Sequence, residues 1–287
     1  WMYATGAAVE GQSLRFNDDD SAYLSWTPAA AGNRKTWTWS AWVKRGNLGS
    51  RQAILAVSNS VGNDYVGLEF SSSDTLLFQS NDGSASTQLS LTTSAVFRDT
   101  SAWYHIVVFF DTSQATSDQR AGIYINGERV TSFSSTVYPP QNYNGRLNTT
   151  VQHNIGSYLP AAGLYLDGYL SEVNFVDGTA LDPTSFGETD ANGQWVPITN
   201  PSVTYGTNGF YLPFTNDYEV EGFNTVTYTG TGADHYIGGV GFEPDFLWIK
   251  RREGAENHIL QDSVRGAAKQ LFTNTTEAEL SGANNVQ

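Results

Sequence analysis

The sequence predicts an all-β protein: an antiparallel β-sandwich or jelly roll followed by a smaller second β unit. Three observations carry this prediction. Short segments, alternating or fully apolar, recur along the chain, and none sustains a helical period over any length. Turn dipeptides close many of them: Asp82-Gly83, Asn126-Gly127, Asn144-Gly145, Asp167-Gly168, Asp177-Gly178 and Asn208-Gly209. Aromatic residues make up 13% of the chain and charged residues only 15%, a balance that fills a core and argues against disorder.

Taken in order, residues 1–12 are small and polar and read as a lead-in. Residues 14–16 and 23–26 are short strands either side of an acidic turn, Asn17-Asp18-Asp19-Asp20. Residues 36–43 alternate, which places Trp37, Trp39, Ala41 and Val43 on one face and Trp42 on the other. Residues 54–57, 65–70 and 75–79 follow as further strands. Residues 103–110 (WYHIVVFF) are apolar on both faces, as in a central strand covered on both sides. Asn126-Gly127 tolerates positive φ at both positions and predicts a tight hairpin within residues 121–130. Residues 169–176 and 209–214 are the last strands of the sandwich, with a short helical turn expected at 182–186.

A change of composition near 215–221 separates a linker, 215–224, from a second β-rich domain, 225–287. Within that domain, 225–228 and 246–251 read as strands, 230–241 as a Gly-rich loop and 262–271 as a helix candidate. The polar end without a closing strand leads us to expect an incomplete second domain. The start, Trp1-Met2, leads us to expect a chain that begins inside its gene product.

The net charge of −14 disfavours binding to nucleic-acid phosphates. With no cysteine there are no disulfides, thiolate metal sites or thiol nucleophiles. No apolar run is long enough to span a bilayer, and no signal-peptide pattern is present. No H-E-x-x-H, G-x-S-x-G or nucleotide-loop motif occurs, and the four histidines are scattered. His105, inside an apolar strand, reads as a hydrogen-bonded core histidine.

The segments SLRFNDDDSAYLSW (13–26), TWTWSAWVKR (36–45), WYHIVVFFDTS (103–113), AGIYINGERV (121–130) and LDGYLSEVNFVDG (166–178) occur in an order that resembles the laminin-G-like, concanavalin A-like jelly roll. The resemblance covers residues 13–214. It implies the fold and leaves function open, because lectins, adhesive modules and hydrolases share it. A narrower resemblance, over 33–49, 170–195 and 242–279, is to tail-associated proteins of marine and cyanobacterial phages. It implies a non-enzymatic virion protein in a tail fibre or other appendage, acting as scaffold or as an adhesin for host-surface polysaccharide. Its implied partners are other virion proteins and further copies of itself, commonly as a homotrimer that exposes an apolar patch. The alternatives are a glycan depolymerase on the same fold and a capsid-decoration or collar piece.

Relatives of this fold bind calcium at edge loops, so Asp18, Asp19 and Asp20 are a candidate calcium site, with a solvated turn as the plainer reading. Glycosidases of this fold set catalytic acids along one strand as E-x-D-x-x-E. Here the corresponding positions are Glu172, Asn174 and Asp177, with an amide in the middle. Trp37, Trp39, Trp42, Trp103 and Trp195 could stack on sugars, although period-2 tryptophans are more often core. The Pro-, Asn- and Tyr-rich stretch 132–162 is the expected contact loop, with Tyr138, Tyr143 and Tyr158 as candidate ligand-binding residues.

Overall fold

The structure, a computed structural model, describes residues 12–58, 64–83, 86–160, 163–214, 223–232, 236–237, 240, 242–266 and 269–282. The lead-in up to residue 11, most of the expected linker (215–222), parts of the Gly-rich loop and residues 283–287 lie outside the described residues. The chain divides into two compact units, Trp1–Thr215 and Asn216–Gln287.

The first unit contains β1 (Leu14–Phe16), β2 (Leu24–Trp26), β3 (Thr36–Arg45), β4 (Gln52–Ser58), β5 (Asp64–Phe70), β6 (Thr75–Asp82), β7 (Thr87–Val96), β8 (Tyr104–Asp111), β9 (Ala121–Ile125), β10 (Glu128–Arg129), β11 (Phe133–Val137), β12 (His153–Ile155), β13 (Gly168–Asp177), β14 (Gly187–Thr189), β15 (Trp195–Pro197) and β16 (Phe210–Leu212). One sheet runs β1-β13-β3-β8-β9-β10, and the other β11-β7-β6-β5-β4-β12-β2. β16 also pairs with β13, beyond the end of β1. The pairings are antiparallel, and many neighbours are distant in sequence, as a jelly roll requires.

Alternation fixes which side chains enter the space between the sheets. Trp37, Trp39, Ala41 and Val43 of β3 face inward, as expected, against Phe70, Phe78, Leu89 and Leu91 of the other sheet within one core. Trp37 stacks on Phe110, with centroids 5.2 Å apart. β8 is buried on both faces, with Ile106, Val108 and Phe110 inward and His105, Val107 and Phe109 outward. A buried cation, Arg45, lies over the Phe70 ring at 4.4 Å. It donates to Phe97 O at 2.6 Å and to Asp74 at 3.1 Å.

Several expectations are corrected. Asn126-Gly127 forms a two-residue turn, at φ +50° and +85° between β9 and β10, and Asp82-Gly83 opens the connection of the antiparallel pair β6–β7. Asp167-Gly168 and Asn208-Gly209 instead precede strands, and Asp177-Gly178 ends one. Their flanking strands pair with partners far away in sequence, so no hairpin closes there. Stretch 132–162 is not structureless, because β11 adds to β7 and β12 bridges β2 and β4. The helical turn near 182 is a 3-10 turn at Pro183–Ser185, its N-cap Asp182 accepting from Thr184 N.

The second unit holds one four-stranded sheet, β17 (Phe246–Ile249), β18 (Ile259–Asp262), β19 (Lys269–Phe272) and β20 (Leu280–Ser281), in sequence order. The helix expected at 262–271 is replaced by the end of β18, a turn in which Asp262 accepts from Arg265 N and Gly266 sits at φ +89°, and β19 from Lys269. Residues 225–228, expected as a strand, are irregular. Phe246 and Trp248 are exposed on alternate positions of β17.

Candidate functional site

The face of the first sheet turned away from the core has two parts, one covered and one open. Residues 179–209 cross it as a strap. Phe186 of the strap is buried against Val107 and Val176, with Leu181, Val203 and Tyr205 beside it. Trp195 lies over the ring of His105 (centroids 5.9 Å apart) and donates its indole N–H to His105 Nδ1 at 2.9 Å. Trp42 stacks against the same imidazole, 5.0 Å between centroids. Because Nδ1 accepts, the proton of this neutral ring is on Nε2, 2.9 Å from Ser40 Oγ. Burial lowers the His105 pKa to about 3.

The strap also occupies the polar positions of β13. A bulge between Ser171 and Asn174 puts Glu172 at φ +49°, and the residue is 2% exposed. Tyr211 of β16 donates its hydroxyl to Glu172 Oε2, and burial raises the pKa of this acid. Tyr205 donates to Asn174 Oδ1 at 2.6 Å, its own pKa pushed up to about 12, first by burial and then by the charge of Glu172. Asp177 does not join them. It pairs in register with the inward-facing Trp37, so it belongs to the other face. Its carboxylate accepts from Asn148 Nδ2 at 2.6 Å and from the amides of Asn33 (2.8 Å) and Asn208 (3.2 Å). The trio Glu172, Asn174 and Asp177 is therefore split between two environments, and each member is engaged by hydrogen-bond donors.

Beyond the strap the same face opens. Arg15, Tyr169 and Lys44 sit directly opposite one another on β1, β13 and β3. Trp103, one residue ahead of β8, continues the row, since Val43 pairs with Tyr104. Tyr169 is 36% exposed, and Trp103 and Lys44 are half-buried. The two rings form a corner, 62° between planes with centroids 6.5 Å apart. The Arg15 guanidinium lies 5.2 Å above the Tyr169 ring and pairs with Asp167.

The residues singled out from sequence are placed as follows. Tyr158 is 6% exposed, edge-on to Tyr65 and against Gly67, on the outward face of the second sheet. Tyr143 and Tyr138 pack against the core between the sheets, and the Tyr143 hydroxyl meets Ser80 Oγ at 3.2 Å. The three tyrosines thus lie on different faces of one sheet and form no common platform. Asp18, Asp19 and Asp20 lie in a turn closed by Ser21 N→Asp18 O, and Asn17 Nδ2 holds the Asp20 carboxylate at 2.6 Å. Among the described residues no three His, Asp or Glu side chains converge on one point. Of the five tryptophans, Trp37 and Trp39 are core, Trp42 is buried beside His105, Trp195 anchors the strap, and Trp103 joins the open row. Sequence reasoning missed Arg15, Lys44 and Tyr169. Each sits at an outward position of its strand, but only the strand registers show that they share a row.

A family model described as the concanavalin A-like lectin/glucanases superfamily matches residues 18–185, and a domain of unknown function, DUF7483, matches residues 219–287. No curated protein sequence matches the chain. Among solved structures, domains LG4-5 of the mouse laminin alpha1 chain are 14% identical (TM-score 0.43), covering 64% of this chain and 46% of that one. A putative carbohydrate binding protein from Bacteroides ovatus is 16% identical (TM-score 0.40), covering 64% and 56%. Tailspike protein 2 of an Escherichia coli O157:H7 bacteriophage is 16% identical (TM-score 0.42), covering 61% and 23%. The chain thus spans about half the length of the first two and under a quarter of the third.

Proposed function

Because the chain belongs to the concanavalin A-like lectin/glucanases superfamily, we propose that it is a non-enzymatic glycan-adhesion and scaffold module of a virion appendage such as a phage tail fibre. The observation that carries the non-enzymatic part is the strap. Glu172 and Asn174, at the positions where an acid pair would act, are buried beneath Tyr211 and Tyr205. General acid–base chemistry needs a carboxyl group within reach of the scissile bond, and retaining chemistry needs two at about 5–5.5 Å. A buried acid hydrogen-bonded to β16, beside an amide hydrogen-bonded to the strap, favours a structural role for each.

The adhesive part is supported by the family and by the uncovered aromatic row at the end of the same sheet. The appendage is supported by the likeness of residues 33–49, 170–195 and 242–279 to phage tail-associated proteins. Exposed Phe246 and Trp248 in the second unit favour self-association, for which a homotrimer is the expected form. Several copies on one particle would convert weak single-site contacts into avidity.

The test is to incubate the purified chain with host capsular and exopolysaccharides, measuring retention and newly released reducing ends in the same samples. Retention without release is expected. Release that disappears in Glu172→Gln overturns the non-enzymatic reading. Immunogold labelling of virions that decorates no external appendage overturns the location.

A further inference from the structure

We infer that the row Arg15–Tyr169–Lys44–Trp103 is a binding site for an acidic saccharide, one carrying carboxylates on its pyranose rings. This deepens the adhesive reading and rests on it. Four observations converge. First, the row is where the outward face of the first sheet emerges from its cover. The neighbouring residues of the preceding row, Trp42, Ser171 and His105, are all buried. The strap stops short of this end, which leaves a shelf backed by packed side chains.

Second, the rings of Trp103 and Tyr169 meet at 62° over the strand that carries Lys44. A corner of two aromatic planes can take the C–H face of one sugar ring on its floor and the rim of that ring on its wall. A flat apolar partner would gain only one of these surfaces. Third, cations and aromatics alternate across four neighbouring strand positions. Arg15 is held rigidly, its guanidinium over Tyr169 and donating to Gly168 O at 3.1 Å. Lys44 makes no ion pair among the described residues. Fourth, these cations stand out against a chain of net charge −14. An exposed basic and aromatic row on an acidic protein complements an anion that also has an apolar face. The carboxylates nearby are Asp167, paired with Arg15, and Asp99, whose pKa is lowered mainly by Ser101 and to a lesser degree by Lys44. Lys44 is therefore the cation most available to a ligand carboxylate, with Arg15 setting the tilt of Tyr169.

The experiment is calorimetric and fluorescence titration of the intact chain with a hexuronate tetrasaccharide and, separately, with a neutral hexose tetrasaccharide. The wild type should bind the hexuronate, with affinity falling as salt rises. Trp103→Ala should weaken that binding about tenfold or more, as loss of a central aromatic contact does. Lys44→Gln should weaken it less and flatten the salt dependence. Unchanged urea midpoints would show that both variants fold. If both bind the hexuronate as tightly as the wild type, the row is not the site, and the adhesive reading survives with its site elsewhere. If the neutral sugar binds as well as the hexuronate and is lost in Trp103→Ala, the row is a glycan site and the acidic class is wrong. If neither sugar binds and no host polysaccharide is retained either, the adhesive reading falls together with this inference.

Discussion

The carboxylate of Asp177 receives the side-chain amide of Asn148 at 2.6 Å, deep in the first unit, where both residues are buried. Asn148 sits at φ +67°, and its Oδ1 accepts from Asn208 Nδ2, also at 2.6 Å. Three chain segments that are remote in sequence, around residues 33, 148 and 208, are thereby tied to the end of β13. This assigns Asp177 to architecture, although its spacing from Glu172 suggested a member of an acid trio. Asn148 also begins an Asn-Thr-Thr triplet, but its amide is committed to Asp177 and to Asn33 O.

The first prediction follows from that relationship. Asp177→Ala leaves the Asn148 amide with Asn33 O alone and removes the acceptor of the backbone N–H groups of Asn33 and Asn208. A buried donor left unpaired costs about 1–3 kcal/mol, and water reaches Asn33 and Asn208 in part, so a total loss of about 2 kcal/mol is expected. Asp177→Asn should lose less, because its oxygen can still accept. Urea unfolding of the two variants measures this, and equal midpoints for Asp177→Ala and wild type would remove the structural assignment.

The second prediction concerns Arg45 and Asp74. Asp74 accepts from Gly49 N at 2.9 Å, from Arg98 at 2.9 Å and from Arg45 at 3.1 Å. The Gly49 amide is the largest cause of a pKa lowered to about 2, followed by Arg98. Arg45 is buried, and its Nε and Nη2 have no hydrogen-bond partner among the described residues. Removing Asp74 leaves a charged group in the core with only Phe97 O. Such broken buried pairs typically cost about 3–5 kcal/mol. Asp74→Ala is therefore expected to unfold at markedly lower urea, whereas the double change Asp74→Ala with Arg45→Met should recover part of the loss.

Much of this fold was legible in the sequence, and what was not has physical reasons. β3 and β8 are readable because apolar side chains mark their inward faces, and β8 because strap and core cover both sides. β7 was missed, although Leu89, Leu91 and Thr93 alternate inward, because its outward positions are Ser and Thr and dilute the signal. β11 and β12 depend on partners that the chain meets only after long excursions. The site was the least legible part. Tyr158 in a Pro-rich stretch resembles an exposed loop residue, yet its ring packs over Gly67, where a side chain would collide with it. Conversely, nothing local marks Lys44 and Trp103 as neighbours.

The third prediction is a loss of stability on mild acidification. His153 Nε2 accepts from Asn148 N at 2.8 Å while its Nδ1 faces Val151 O at 2.7 Å, so the neutral ring is the form that fits. Its pKa is lowered to about 4, mainly by burial, and that of His105 to about 3 for the same reason. From pH 6.5 down to those values the unfolded chain binds protons that the native state refuses, so stability rises with pH across this window. The limiting slope is about 1.4 kcal/mol per pH unit for each histidine. Glu172 opposes this near its lower end, because its raised pKa makes the native state hold a proton longer as pH rises. Asp74 stays ionised in the native state throughout and steepens the slope at the lower end, where the aspartate of the unfolded chain takes up a proton. Urea midpoints should fall between pH 7 and pH 5. A flat profile, or His105 and His153 resonances that titrate near pH 6.5 in the native state, would contradict the argument.

The fourth prediction isolates the strap. Trp195 is fixed by its N–H bond to His105 and by close packing on Gly127 and Gly187, where a built Cβ would fall 2.9 Å and 2.6 Å from the indole. Trp195→Phe keeps an aromatic ring at that place but deletes the donor and part of the indole that packs on the two glycines. His105 Nδ1 then becomes a buried acceptor without a partner, at a cost of about 1–3 kcal/mol. Because β14 and β15 pair only with each other in the sheet order, the loss should be felt locally before it is felt globally. Hydrogen exchange should quicken at the amides of β14 and β15, while β3 and β8 keep their protection. Uniform acceleration across β3, β8 and the strap would mean that the strap and the sheet unfold as one unit, and that this hydrogen bond is not what holds the cover over Ser40 and His105.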